Sequence, residues 1–275
     1  MRGAVKNMLT RIITSVVALA VFFAVIFAGE LPLVIAVLIV TAAMLFETYS
    51  AVTGSAAVKV SGYITAAIVT AGVYADMTGA ALSAAILIIL VFLVFLHGKV
   101  RYRELLSVSF MSVYIALFMS YIPLLRINMG LAYMAFVFII AWGSDTCAYF
   151  CGTFFGKHKL IPKVSPKKTV EGSVGAIISV MLLCMLYALI LDKSGHPLGG
   201  VSPEAADYIK IGLLGAVTAA VSQLGDLAAS AIKRDTGIKD YGKIFPGHGG
   251  FMDRFDSVIF IAPVVYYYCV YIIII

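Results

Sequence analysis

The stretch from Ser230 to Asp256, SAIKRDTGIKDYGKIFPGHGGFMDRFD, holds the residues of this chain that are best suited to chemistry. It combines basic side chains (Lys233, Arg234, Lys239, Lys243, Arg254) with carboxylates (Asp235, Asp240, Asp253, Asp256). Gly247, Gly249 and Gly250 surround His248, and glycine allows a backbone to approach a ligand closely. Carboxylates beside Lys and Arg are what a site for Mg²⁺ and phosphate requires. The stretch therefore predicts a phosphate-handling site, in which His248 either contacts phosphate, transfers a proton or holds a turn.

A second polar group spans residues 142–172, at the end of one apolar run and the start of the next. Asp145 lies inside the apolar run, where a carboxylate is costly and usually faces a cavity or a charged partner. Past several lysines comes the polar run Ser165, Lys167, Lys168, Thr169 and Glu171. Hydroxyl and ammonium donors at a helix N-terminus favour phosphate. The same lysines are also what a cytoplasmic membrane loop carries, so both interpretations stay open.

A third group lies in the apolar run before the charged stretch. Ser222, Asp226 and Ser230 recur every four residues, which places them on one face of a helix. Small residues beside a paired Asp would also suit a helix–helix contact. Because Asp226 precedes Lys233 by about two helical turns, we favour a functional role for its carboxylate.

The elements that must position these residues are membrane-spanning helices. The chain has 275 residues, of which 62% are hydrophobic and 12% are charged, and its mean hydropathy is +1.05. A soluble domain has about 25% charged residues. Since a spanning helix needs about 20 apolar residues, we predict an all-α polytopic membrane protein with about nine spans. The apolar runs are 12–29, 31–50, 60–76, 79–97, 105–125, 129–151, 172–192, 208–231 and 255–275.

The positions of Lys and Arg predict the orientation of these spans. With the N-terminus in the cytoplasm and the C-terminus on the opposite side, only Arg126, Lys193 and Lys210 fall outside cytoplasmic segments. The net charge of +6 suits an anionic lipid surface or substrate. We divide the chain into N-terminal helices, about five in residues 1–128, and a catalytic region in residues 129–275. The catalytic region has cytoplasmic basic segments at 152–171 and 232–254.

The charged stretch resembles a known family signature. The matching residues are Ser230-x-Ile232-Lys233-Arg234, Lys239-Asp240-x-Gly242 and Phe245-Pro246-x-His248-Gly249-Gly250-Phe251-x-Asp253-Arg254-Phe255-Asp256. This pattern is similar to that of the phosphatidate cytidylyltransferases, or CDP-diacylglycerol synthases. The SPKKTxEG segment around Lys167 and the SxxGD segment ending at Asp226 are also similar to pieces of that family. The resemblance covers the chain from Trp142 onward, and the earlier helices match only in being apolar.

The resemblance implies that CTP and phosphatidic acid react, with Mg²⁺, to give CDP-diacylglycerol and pyrophosphate. It implies Asp226 and Asp253 as metal ligands, with Asp256 as a further candidate, for two divalent ions or for one with a second cation. Lys233, Arg234 and Arg254 would hold CTP, and Lys167 and Lys168 the lipid phosphate or the pyrophosphate. Further substrate contacts are expected from Ser165, Thr169, Glu171, Asp145, Ser222, Lys239, Asp240, His248, Gly249 and Gly250.

For the setting, we expect a bacterial inner membrane, membrane lipids as partners and no nucleic acid, and we leave homodimer formation open. Two other functions stay open at this point: an anion transporter and a CTP-dependent lipid kinase. No internal repeat supports a transporter, and no GxxxxGK[ST] loop is present. The four cysteines lie in or beside apolar runs and are expected to pack as small hydrophobic side chains.

Overall fold

The computed structural model describes the backbone of residues 2–245, 247 and 249–273, and the side chains of these residues from Ile13 onward. Helices dominate these ranges, with a single short β-hairpin. The helices are α1 (Arg2–Phe27), α2 (Glu30–Val52), α3 (Ala56–Tyr74), α4 (Thr78–Phe95), α5 (Tyr102–Met119), α6 (Tyr121–Met129), α7 (Leu131–Phe155), α8 (Val170–Lys193), α9 (Ala205–Thr236) and α10 (Met252–Tyr268). The hairpin strands are β1 (Lys159–Ile161) and β2 (Ser165–Thr169).

Eight segments in the described part of the chain are long and apolar enough to cross a membrane. Ile13–Phe27, the part of α1 whose side chains are described, forms a shorter apolar helix. Helices α5 and α6 together form one of these segments, Tyr102–Met129. These helices correspond to the apolar runs of the sequence, so the prediction of an all-α polytopic membrane protein is confirmed. The sidedness of the termini stays a prediction.

The chain packs into two compact units. The first, unit 1, comprises residues 1–123 and 235–255, and the second, unit 2, comprises residues 124–234 and 256–275. The charged stretch is therefore divided, since residues 235–255 pack with unit 1. The functional division proposed at residue 128 stays a prediction.

Within unit 1, α3 packs against α4 and α5, and α2 packs against α5. Gly62 of α3 leaves room for its neighbours, because a Cβ there would lie 2.6 Å from Val108 Cγ1. The Tyr49 hydroxyl forms a 2.6 Å hydrogen bond with Ser112, which joins α2 to α5. A buried hydroxyl usually has such a partner, so this bond fixes the two helices against each other.

Within unit 2, small residues allow helices to approach closely. A Cβ on Gly175 would meet Cys151 Sγ at 2.6 Å, and a Cβ on Gly215 would meet Cys184 Sγ at 2.9 Å. At Gly225 a Cβ would lie 2.7 Å from the carbonyl oxygen of Asp256. Helix α7 is thus packed closely against α8, α8 against α9, and α9 against α10 at these points. All four cysteines are free thiols, as expected.

The segment between α7 and α8 folds as an antiparallel hairpin, which the sequence did not lead us to expect. Thr169 ends β2 and caps α8, since its hydroxyl accepts a hydrogen bond from the Gly172 N–H at 3.2 Å. Glu171 holds the other side of the hairpin. Its carboxylate accepts from the Lys157 N–H at 3.0 Å and lies 2.6 Å from His158 Nδ1. The lysines between these anchors are therefore carried on an ordered segment.

Candidate functional site

Three carboxylates of unit 2, each from a different helix, lie close enough to interact electrostatically. The half-buried Asp256 of α10 is close enough to Asp226 of α9 and to Asp145 of α7 for their negative charges to repel its own. The Lys233 ammonium, also on α9, lies near enough to oppose that repulsion. Like charges held together in a partly dry environment favour any cation that can join them. The structure thus brings together four residues that the sequence predicted separately.

Lys168 provides a cation for this cluster from the hairpin. Its Nζ forms an ion pair with Oδ2 of Asp226. Both side chains are largely sheltered, with exposed fractions of 22% and 26%. The neighbouring Lys167 is exposed. The two adjacent lysines of β2 therefore differ sharply, and Lys168 is the one that reaches a predicted catalytic carboxylate.

The polar stripe of α9 is present as predicted. The Ser230 hydroxyl donates to Asp226 Oδ1 at 3.5 Å. Ser222, one turn before Asp226, is 1% exposed, and within the described residues its hydroxyl makes no hydrogen bond. The next residue, Gln223, joins α9 to α8, since its Nε2 donates to the Ser173 carbonyl at 3.3 Å. The sequence did not single out Gln223, although a buried amide in an apolar run was a usable signal.

In unit 1, Asp253 organises the glycine-rich loop that precedes α10. Its Oδ2 accepts hydrogen bonds from the Tyr241 N–H at 2.8 Å and from the Gly250 N–H at 2.9 Å. Gly249 has a φ of +83°, and a Cβ there would lie 2.6 Å from that same oxygen. Asp253 therefore shapes the loop, in addition to any role toward a ligand.

The loop is closed by a backbone bridge and an aromatic contact. The Phe245 N–H donates to the Gly249 carbonyl at 2.9 Å, and the rings of Phe245 and Phe251 pack with centroids 4.9 Å apart. Lys239, Asp240 and Arg254 are exposed to the surroundings. His248 and Pro246 lie outside the described residues, so the three roles considered for His248 stay predictions.

Glu47 of α2 is a functional candidate that the sequence analysis missed. It is 4% exposed, and its carboxylate accepts from the N–H groups of Phe251 and Met252 at 3.1 and 3.0 Å. An acidic residue inside an apolar run was an available signal. No local pattern could have named its partners, which lie more than 200 residues away in sequence.

The predicted residues fall into two groups. Unit 2 contains Asp145, Ser165, Lys167, Lys168, Thr169, Glu171, Ser222, Asp226, Lys233, Arg234 and Asp256, whereas unit 1 contains Lys239, Asp240, Gly249, Gly250, Asp253 and Arg254. Thr169 and Glu171 have local structural partners, as a helix cap and a hairpin anchor. The prediction that Asp226 and Asp253 share a metal ion joins residues of both units and stays a prediction.

The donor set suits Mg²⁺ in its chemistry. Asp145, Asp226 and Asp256 supply hard carboxylate oxygens, the ligands that Mg²⁺ prefers. Their mutual repulsion, and the ammonium already paired with Asp226, both indicate a place for positive charge. In the described part of the chain, no three His, Cys, Asp or Glu side chains are arranged closely enough to hold a metal ion. The ligand atoms are therefore of the type that Mg²⁺ prefers. One oxygen of Asp226 is already paired with the Lys168 ammonium.

Comparison with known proteins supports a single family. Residues 9–272 match the model of the cytidylyltransferase family. A Bacillus subtilis protein named phosphatidate cytidylyltransferase is 34% identical over 186 residues, which are 66% of this chain and 65% of the relative. A Staphylococcus epidermidis protein of the same name is 43% identical over 137 residues, 49% of this chain and 47% of the relative. A Staphylococcus aureus protein of that name is 43% identical over 136 residues, with the same coverage.

The aligned region spans less than two thirds of the length of each of these relatives. All three relatives are bacterial, and the described part of the chain has eight candidate membrane spans, so it is an integral protein of a bacterial inner membrane. The match to the family model covers nearly all of the sequence, including the carboxylates of unit 2 and the glycine-rich loop of unit 1. The chain belongs to the cytidylyltransferase family.

Proposed function

We propose that this chain transfers the cytidylyl group of CTP to phosphatidic acid, forming CDP-diacylglycerol and releasing pyrophosphate. The observation that carries the proposal is the pairing of Lys168 with Asp226 beside Asp256, Asp145 and Lys233. This arrangement supplies ammonium groups, which bind phosphate, and carboxylates, which bind a divalent cation. Family membership and the names of the relatives support the same reaction.

The reaction does not require a strong general base. The nucleophile is a phosphate oxygen of the lipid, which attacks the α-phosphorus of CTP while the bond to the bridging oxygen of pyrophosphate breaks. A phosphate monoester has a second pKa of about 6 and is therefore largely dianionic at neutral pH. The difficulty is to bring two polyanions together, so charge neutralisation and orientation are the tasks left to the protein. A site built from ammonium, guanidinium and carboxylate groups suits those tasks.

We assign the residues as follows. Lys233, Arg234 and Arg254 bind the phosphates of CTP, because cationic donors form strong charge-assisted hydrogen bonds with phosphate. Lys167, exposed on β2, binds the phosphate of the lipid or the departing pyrophosphate. Lys168 orients Asp226 and neutralises part of the carboxylate cluster.

Asp226 and Asp256 would hold Mg²⁺, and the sequence predicts Asp253 as a further ligand. When bound, the ion would supply positive charge to the phosphate oxygens on which negative charge accumulates. The chain's own residues hold the carboxylates in place: Ser257 N–H donates to Asp256 Oδ1 at 2.7 Å, and Ser230 donates to Asp226.

For the membrane setting, we propose that the charged segments face the cytoplasm, where CTP is found. The distribution of Lys and Arg supports that orientation. Phosphatidic acid would then reach the site from the inner leaflet, with its acyl chains left in the bilayer. Formation of a homodimer stays a prediction.

Purified protein in detergent, given CTP, Mg²⁺ and phosphatidic acid, tests the proposal. We expect pyrophosphate release that requires both substrates, together with formation of a lipid that carries CMP. Release of CDP with a newly phosphorylated lipid would instead identify a CTP-dependent kinase. Absence of turnover under all conditions would contradict the enzymatic proposal and favour a transporter.

A further inference from the structure

Glu47 is a buried carboxylate in α2, whose other buried side chains are all uncharged. It is 4% exposed, and Met44 and Leu45, which precede it on α2, are equally sheltered. Burying a charged group is expensive unless its oxygens are satisfied by strong donors. The partners of Glu47 therefore show why a carboxylate is retained at this position.

Those partners are the backbone N–H groups at the start of α10. Phe251 donates to Oε1 and Met252, the first residue of the helix, donates to Oε2. The first N–H groups of a helix lack partners within the helix, and its N-terminus carries partial positive charge. Glu47 thus acts as an N-terminal cap that is supplied by a distant helix of the same unit.

Two glycines of the loop make room for this cap. A Cβ on Gly242 or on Gly250 would overlap the Glu47 carboxylate. Neither position tolerates a larger side chain unless the carboxylate moves, since an overlap with a buried, hydrogen-bonded group cannot be relieved cheaply. The backbone at Gly242, near the start of the loop, and at Gly250, at its end, therefore lies against Glu47.

Asp253 stabilises the same loop by accepting hydrogen bonds from other backbone N–H groups. It accepts from Tyr241, next to Gly242, and from Gly250, next to Phe251. Glu47 and Asp253 together satisfy four backbone N–H groups of the segment between Tyr241 and Met252. The first turn of α10, which carries Asp253 and Arg254, is held by these contacts.

We propose that Glu47 is a positioning residue for cytidylyl transfer, which sets the glycine-rich loop and the first turn of α10 so that Asp253 and Arg254 are presented to the substrates. Glu47 touches neither substrate and acts through the backbone that it caps. This inference rests on the proposed function, but its structural part concerns unit 1 alone and can be measured without turnover.

Glu47→Gln tests the proposal with little change in shape, since one accepting oxygen is kept and the charge and the second acceptor are lost. We expect kcat to fall at least ~10-fold and the KM for CTP to rise, because a hydrogen bond to a charged group is lost. Trypsin should cleave the loop at the exposed Lys239 and Lys243 several times faster. Glu30→Gln, the same change at an exposed position of α2, is the matched control and should behave as the unmodified protein.

Three outcomes would overturn the proposal. One is a Glu47→Gln protein with unchanged kcat and loop cleavage. Another is a decrease in melting temperature and activity without preferential cleavage of the loop, since that would indicate a general packing role. The third is failure of Glu47→Asp, whose shorter carboxylate keeps the charge, to recover any of the activity lost in Glu47→Ala. If the unmodified protein shows no cytidylyl transfer, the proposed function fails, while the cleavage rates still decide the role of Glu47.

Discussion

The ion pair between Lys168 and Asp226 gives the sharpest mutational test of the unit 2 cluster. Lys168→Met removes the ammonium group and keeps most of the length and apolar character of the side chain. Lys167→Met makes the same change one residue earlier on β2, where the side chain is exposed. Both variants lower the net charge equally, so a larger fall in kcat for Lys168→Met reflects the contact with Asp226, whereas the substrate contact proposed for Lys167 is expected to change KM.

The expected size of the effect follows from the shelter of the pair. Two unit charges 4 Å apart interact by about 4 kcal/mol at an effective dielectric constant of about 20. Desolvation and lost side-chain freedom offset part of this attraction. The net contribution of a hydrogen bond to a charged group is about 1.5–3 kcal/mol. Since the exposed fractions are 22% and 26%, the pair should fall within that range. A loss of this size in the transition state lowers kcat by about 10- to 150-fold.

The assay is steady-state release of pyrophosphate in detergent, with CTP and phosphatidic acid varied in turn. Lys168→Met should lower kcat by the factor above, and Lys168→Arg should recover part of it because the charge is kept. Lys167→Met should leave kcat nearly unchanged and raise the KM of whichever substrate it binds. Equal effects of Lys168→Met and Lys167→Met on kcat would refute the reasoning, because a general electrostatic attraction would then account for both lysines.

Three further predictions concern the carboxylates and the helix contact beside them. Asp226→Asn should lower kcat by about a hundredfold or more without changing the melting temperature greatly, since charge is lost and shape is kept; near-normal turnover would remove Asp226 from the metal site. Asp253→Asn should lower kcat but keep the loop, because an amide oxygen still accepts from Tyr241 and Gly250, whereas Asp253→Ala should also accelerate loop cleavage by trypsin; equal cleavage in the two variants would contradict this. Gly225→Ala should destabilise unit 2 by about 1–3 kcal/mol, because the added Cβ meets the Asp256 carbonyl, whereas Gly79→Ala, where nothing lies within 4 Å, should not lower the melting temperature.

The helices could be predicted from the sequence because their signal is local. A lipid environment requires long apolar helices whose backbone groups are satisfied internally, so apolar runs and polar breaks locate them. The run expected at 172–192, for example, is α8 at Val170–Lys193, and that expected at 31–50 is α2 at Glu30–Val52. Likewise the four-residue spacing of Ser222, Asp226 and Ser230 correctly predicted a polar face on α9.

The contacts that organise the polar segments could not be predicted in this way. The hairpin of β1 and β2 is short and rich in lysine, and it is stabilised by Thr169 and Glu171 rather than by an alternating apolar pattern. The contacts of Glu47 could not be predicted because its partners are backbone groups, which leave no trace in residue types. Gly250 suggested a close approach to a ligand, but in the structure it lies, like Gly242, against the carboxylate of Glu47.

The position of a label in CTP tests the central claim most directly. With CTP labelled at the α-phosphorus, the unmodified protein should transfer the label to phosphatidic acid, and the Asp226→Asn protein should transfer it far more slowly. With CTP labelled at the γ-phosphorus, the label should leave as pyrophosphate and none should enter lipid. Appearance of the γ-label in lipid, or equal transfer of the α-label by both proteins, would contradict the account.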